Sequence, residues 1–299
     1  MLETNTLFRK LAIGNHKLRE LSDEDVKAVQ HILLDMLTDL DELCRKNGLS
    51  YFICGGTALG AVRHKGFIPW DEDIDISLPR KDYDKLAKLV KEQYADKYWV
   101  QNINDTRKYD LNFMKIRKKG TTYVEMFETE EDKAGVFIDI FPIENSYDNP
   151  LRRRIHGLWV EFLLLCASCV RISKKEKMLE EYFDQRKVKK VVKFKSFIGK
   201  CLSFYSVQKW CRIVENAASS CKKENTKYIT IPSGRKHYFG EMYTRTSFFP
   251  PKEIEFEGRR FYTMSNPDEY LTKLFGDYMR VPKEEERERH SIVKLDLEK

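Results

Sequence analysis

The stretch Tyr51-Phe-Ile-Cys-Gly-Gly-Thr-Ala-Leu-Gly-Ala-Val-Arg-His-Lys-Gly-Phe-Ile-Pro-Trp-Asp-Glu-Asp-Ile-Asp-Ile76 limits what this chain can fold into more than any other. A brief apolar run, Tyr51 to Cys54, is broken by Gly55-Gly56, where the backbone must pass close to another group. Thr57 is placed to cap a short helix, Ala58 to about His64, which Gly66 and Pro69 bring to an end. Asp73-Ile-Asp-Ile76 then alternates acid and apolar residue. On a strand that period puts Asp73 and Asp75 on one face and sends Ile74 and Ile76 into the core. Two neighbouring carboxylates repel unless a cation lies between them, and a hard divalent ion with oxygen ligands is the usual solution. The N–H groups at the start of the helix, with the dipole behind them, suit a phosphate. A phosphate cradle of Gly55, Gly56 and Thr57, about seventeen residues ahead of an acidic strand, points to metal-assisted phosphotransfer.

Further candidates lie downstream. Val136-Phe-Ile-Asp-Ile-Phe141 is an apolar strand holding one acid, Asp139, which is costly to bury unless paired or metal-bound. Either it pairs with an arginine or lysine, or it joins Asp73 and Asp75 as third ligand and base for an acceptor hydroxyl. Lys115 and Arg117 alternate with Met114 and Ile116, so they share one strand face, turned to solvent or to donor phosphates. Arg63 and Lys65 follow the cradle helix, and arginine is the better bidentate phosphate binder. His64 reads as a surface residue.

The rest of the chain frames these positions. Ser22 caps a helix with acids in its first turn, and Asn47-Gly48 stops it. Arg80 to about Tyr94 is an amphipathic helix. Tyr98–Ile103 and Leu111–Arg117 read as strands, and Gly120 turns the second into a hairpin with Thr121–Phe127. After Pro150 the character turns helical. The apolar run Leu158–Val170 is about thirteen residues and contains Glu161, too short for a membrane span. Within it Cys166 and Cys169 lack a second ligand pair at zinc spacing and read as buried thiols. Ser196 to about Lys223 reads as one further helix whose cysteines fill core. Residues 226–262 return to short strands, Pro267 opens a helix that Gly276 ends, and a charged tail carries His290.

The quoted run from Gly55 to Ile76 resembles the signature of the LicD family of bacterial phosphocholine transferases, similar to the fukutin group of sugar-phosphate transferases. The resemblance continues through Phe113–Thr121, Gly135–Pro142 and Tyr270–Pro282, and covers about residues 22–290. It implies an α/β (α+β) fold with a nucleotidyltransferase-like mixed sheet. It also implies Mg2+ or Mn2+ held by Asp73, Asp75 and Asp139, and CDP-choline or a similar CDP-activated donor. The acceptor would be a sugar hydroxyl on a lipid-linked glycan, such as a precursor of teichoic acid or lipopolysaccharide. Under the resemblance Lys115 and Arg117 hold donor phosphates, and His290, near a histidine that closes the family domain, faces substrate or simply lies exposed. Choline calls for an aromatic face, and Trp70, Tyr109, Tyr123 and Phe127 are available. A donor carrying ribitol phosphate, glycerol phosphate or a plain nucleotide would use the same parts.

Composition sets the context. Seven cysteines without a framework, and an opening that lacks a signal-peptide pattern, lead us to expect a cytoplasmic protein with free thiols. Residues 171–200 carry eleven Lys/Arg against four Asp/Glu, a surplus equal to the +7 of the whole chain. Such a patch suits peripheral contact with an anionic membrane surface. Nucleic acid is not expected, because only Phe194 and Phe197 interleave with the cations. The organisation expected is an N-terminal segment (1–21), a catalytic core (22–150), a helical basic segment (151–225) and a C-terminal part completing the core (226–299).

Overall fold

The computed structural model describes residues 19–297, apart from 127, 129–133, 184 and 288–291. His290, Phe127 and the first eighteen residues lie outside that set. Helix α1 (Asp23–Lys46) opens with a capping box: Ser22 accepts the Asp25 N–H and Asp25 reaches back to the Ser22 N–H. Its buried face, Val29, Leu33, Met36, Leu37 and Leu40 among others, packs into the main core. Each such side chain contributes roughly 1.5–3 kcal/mol relative to exposure.

Then follow β1 (Phe52–Ile53), α2 (Gly55–His64), β2 (Asp75–Pro79), α3 (Arg80–Gln93), β3 (Tyr98–Gln101), β4 (Met114–Lys118), β5 (Thr122–Glu125) and β6 (Phe137–Ser146). The main sheet runs β1-β2-β6-β4-β3, and it is mixed: β2 and β6 are parallel, the other neighbours antiparallel. Ile76, Leu78, Met114, Ile116, Ile138 and Ile140 are fully buried at its centre. The far end of β6 pairs with β7 (Tyr228–Thr230), which pairs with β8 (Met242–Thr244). The molecule is therefore an α+β fold, as expected.

Strand β5 departs from the expected hairpin. Both edges of β4 are already taken by β3 and β6, so β5 cannot add to it and pairs instead with β11 (Ile292–Asp296). The charged tail thus contributes a strand, anchored by fully buried Ile292.

The helical segment comprises α4 (Pro150–Tyr182), α5 (Arg186–Cys201) and α6 (Val207–Ala218). The single helix expected over 196–223 is two. A break follows Cys201, and Ser206 starts α6 by accepting the Lys209 N–H at 3.1 Å. Cys201 is exposed rather than core, while Cys166 and Cys169 are free and buried. Helix α4 has 33 residues and is long and apolar enough, by length and composition, to cross a membrane, contrary to the shorter run expected. Arg80 ties this segment to the sheet by pairing with Glu144 of β6 and, at 2.6 Å, with Glu215 of α6. The chain closes with α7 (His237–Gly240), α8 (Arg245–Phe248), the hairpin β9 (Lys252–Phe256) and β10 (Arg259–Thr263), and α9 (Pro267–Phe275), capped by Asn266 and ended at Gly276.

Candidate active site

Helix α2 begins at Gly55, three residues earlier than the capping pattern implied, with Cys54 as its cap residue. Thr57 is consequently inside the helix, not at its cap. It is buried, and its hydroxyl accepts the Asp75 N–H at 2.8 Å, fixing the start of β2 against α2. Gly55 has φ +55°, and a methyl group added there would overlap Asp75 Oδ2. A methyl on Gly56 would stand 2.6 Å from Asp71 Oδ2 and 3.9 Å from Asp73 Oδ1. The glycine pair therefore makes room for carboxylates. The Gly55 N–H donates to the Tyr270 hydroxyl at 2.9 Å, which leaves the N–H groups of Gly56 and Thr57 as the first-turn donors without intrahelical partners.

Strand β2 starts at Asp75, so Asp73 lies just before it, yet the alternation persists. Ile74 and Ile76 are fully buried and Asp73 and Asp75 are partly exposed. Asp75 is the direct partner of Asp139 on parallel β6, and Asp139 is in turn the partner of Lys115 on β4. Residues partnered across adjacent strands share a face, so Asp75, Asp139 and Lys115 form one row across three strands. Lys115 is almost wholly buried, with its ammonium 2.7 Å from Glu125, 3.2 Å from Asp139 and 3.2 Å above the Phe137 ring. Burial pushes the Asp139 carboxyl up to about 6; the Lys115 ammonium opposes that rise, and the Glu125 and Asp73 carboxylates add to it.

Several expected phosphate contacts have other partners. Lys115 pairs within the acid row, which realises the lysine-paired reading of Asp139. Arg117 is buried, donating to Gln101 Oε1 at 2.7 Å and the Gly135 carbonyl at 3.0 Å and pairing with Glu128, so its fork is spent inside the protein. Arg63 donates to His64 Nε2 and to the carbonyls of Tyr278 and Arg280, clamping the segment after α9. The Arg287 guanidinium lies 4.0 Å above the Trp70 ring, covering one face of that candidate choline platform. Tyr109 and Tyr123 are both buried, so they offer no open face either.

The acids Asp71, Asp73, Asp75 and Asp139 offer only oxygen, the donor chemistry of Mg2+ or Mn2+. Among the described residues no three Asp, Glu, His or Cys side chains are gathered as a ready coordination shell. Asp139 Oδ1 is buried, and its close cationic neighbour is the Lys115 ammonium at 3.2 Å.

Three participants were not singled out from sequence. Asp71 belongs to the same acidic run, which was its only signal in the sequence; its approach to Gly56 is tertiary. Glu125 and Tyr270 reach the site through tertiary contacts that no local pattern encodes.

A helix opened by two glycines, set against an in-register acid row on a mixed sheet, places helix N–H donors beside oxygen ligands, the parts that metal-assisted phosphotransfer uses. Residues 48–156 match the family model described as LicD/FKTN/FKRP, nucleotidyltransferase domain. Over 275 residues, 88% of this chain and 94% of the relative, the sequence is 28% identical to the lipopolysaccharide cholinephosphotransferase LicD of Haemophilus influenzae. An uncharacterized protein of Rickettsia typhi is 36% identical over 145 residues, 48% of this chain and 44% of its own length. The chain is thus similar to LicD over most of its length, and residues 48–156 carry the match to the family model.

Proposed function

We propose that this enzyme transfers phosphocholine from CDP-choline to a sugar hydroxyl of a cell-surface glycan precursor, with a divalent metal ion as cofactor. The observation that carries the reading is the in-register pair Asp75 and Asp139 facing the Gly55 turn, in a relative of a lipopolysaccharide cholinephosphotransferase. Asp73, Asp75 and Asp139 would hold Mg2+ or Mn2+, which when bound neutralises charge on the donor phosphates. The N–H groups of Gly56 and Thr57 orient those phosphates at the helix N-terminus. Thr57 fixes the backbone of Asp75. The acceptor oxygen attacks phosphorus, the bond to CMP breaks, and the hydroxyl proton passes to a carboxylate of the row, Asp139. Lys115 keeps that carboxylate in place. The acceptor would be lipid-linked, on a teichoic acid or lipopolysaccharide precursor, reached from the cytoplasmic side, with the basic stretch 171–200 resting on anionic lipid.

The test is CMP release from CDP-choline with Mg2+, with and without a sugar acceptor, beside Asp75→Asn. Acceptor-stimulated release lost in the variant, with its circular dichroism unchanged, is the expected result. Release from CDP-ribitol or CDP-glycerol but not from CDP-choline would keep the chemistry and replace the donor. Full turnover in Asp75→Asn would overturn the site.

A further inference from the structure

Helix α4 is covered on one side along only part of its length. Gly199 of α5 lies so close to Cys169 of α4 that an added methyl would overlap the Cys169 carbonyl, and Glu176 holds Ser196 and Lys200 of α5 at 2.7 and 2.6 Å. At helical spacing the line through Cys169, Ser173 and Glu176 runs back through Phe162, Leu158, Ile155 and Leu151. Toward the helix start α5 has ended, and that same line is bare. Leu151, Ile155, Leu158, Trp159 and Phe162 are between 52 and 67% exposed. A monomer rarely leaves so continuous an apolar stripe open without a use for it. On α5, Phe194 and Phe197 are likewise about two-thirds exposed, next to Lys193 and Lys200.

Charge narrows the occupant. The bare stripe starts among Arg152, Arg153 and Arg154, and a cavity of about 450 Å³ beside it is lined by Arg153 and Arg154 together with Leu158, Phe239 and Met242. Arg153 is anchored, donating to the Tyr147 and Asp148 carbonyls at 3.0 Å, whereas Arg154 is exposed and makes no ion pair or hydrogen bond among the described residues. A cavity lined by both arginine and apolar side chains suits a lipid, which carries a phosphate and apolar chains together. A second copy is a poorer match, since a self-paired face would carry Arg152, Arg153 and Arg154 from each copy against a single acid, Glu161, within residues 151–162.

We propose that the first half of α4 is a membrane-docking surface: Leu151, Ile155, Leu158, Trp159 and Phe162 enter the interface of an anionic bilayer, and Arg154 meets a lipid phosphate in the adjoining cavity. This deepens the membrane-contact part of the reading above and shifts its centre from the basic stretch to an apolar helix face. It also gives the contact a link to the chemistry, because α4 follows β6, the strand carrying Asp139, after three residues.

The test is flotation of the full chain with phosphatidylcholine vesicles and with vesicles containing 30% phosphatidylglycerol. The variants are Leu158→Glu/Phe162→Glu, Arg154→Gln, and Lys187→Gln/Lys190→Gln in the basic stretch. Binding is expected to the anionic vesicles, with at least a tenfold loss in the first variant, a severalfold loss in Arg154→Gln and a smaller one in the lysine variant. Because these side chains are exposed, the melting temperature should not move. CMP release with a water-soluble acceptor, measured in parallel, should match the parent, so loss of docking and failure of the phosphotransfer reading are separable. Undiminished flotation of Leu158→Glu/Phe162→Glu would overturn the proposal. So would a dimer in light scattering that this variant dissolves, which would assign the face to self-association.

Discussion

Replacing Gly55 by alanine separates two costs that a glycine can hide. At φ +55° an L-residue is strained by about 1–2 kcal/mol. Gly48 offers the control, since it has φ +64° with nothing within 4 Å of an added methyl. Gly48→Ala and Gly55→Ala therefore carry the same backbone penalty, so in urea unfolding followed by circular dichroism Gly48→Ala should lose about 1–2 kcal/mol and Gly55→Ala that much plus about 1–3 kcal/mol for the clash. Only Gly55→Ala forces a methyl into Asp75 Oδ2. The carboxylate must rotate or β2 must retreat, and a displacement of about 1 Å at a reacting group costs on the order of 100-fold in rate. CMP release should thus fall about 100-fold in Gly55→Ala and stay near the parent value in Gly48→Ala. Equal activity in the two variants would refute the argument that Gly55 is there to seat Asp75.

Burial holds the Glu241 carboxyl at about 7, above its ordinary 4.5, so the folded state binds this proton more tightly than the unfolded one. The stability it permits is complete below about pH 4.5 and is lost as pH rises through about 7, by up to about 3 kcal/mol. Glu241→Gln should accordingly be less sensitive than the parent between pH 5 and 8, read as the difference in melting temperature at the two ends; parallel pH dependence would refute it. Lys115→Met leaves Asp139 and Glu125 without their buried cation and should cost roughly 3–5 kcal/mol in chemical denaturation. A loss below 1 kcal/mol would show that the row does not need the ammonium. Gly199→Ala must push α5 away from the Cys169 carbonyl and should destabilise by about 1–3 kcal/mol in thermal melts, without changing turnover on a soluble acceptor.

Local patterns made much of the fold legible. The Ser22 cap of α1, the Pro267 start and Gly276 stop of α9, and the acid–isoleucine alternation through Ile76 all act within a few residues, and each appears where the sequence places it. What sequence misread is what neighbours decide. Gly120 does turn the chain, at φ +79°, but whether β5 then folds onto β4 depends on β3 and β6 having filled both edges. The apolar run in α4 gives the same periodicity whether a helix or something else covers it, so its bare half could not be told from its buried half. Arg117 and Lys115 fall on one face as expected, yet the partners that consume them, Gln101, Glu128 and Glu125, come from other segments.

The glycine pair shows how a correct site can rest on an incomplete reason. From sequence, Gly55 and Gly56 are the approach path for a phosphate. Their positions show a prior requirement: Asp75 and Asp71 occupy the space that side chains on those residues would need, and the Gly55 N–H is already taken by Tyr270. Carboxylates and phosphates repel, so a helix N-terminus packed this closely on acids would reject a phosphate on electrostatic grounds alone. The phosphate-binding role of Gly56 and Thr57 and the cation-holding role of the acids are therefore one hypothesis. Phosphate affinity should depend on the divalent ion, and donor binding measured by calorimetry should weaken at least tenfold when EDTA removes it. Donor affinity that survives EDTA unchanged would separate the two roles and place the phosphates away from the acid row.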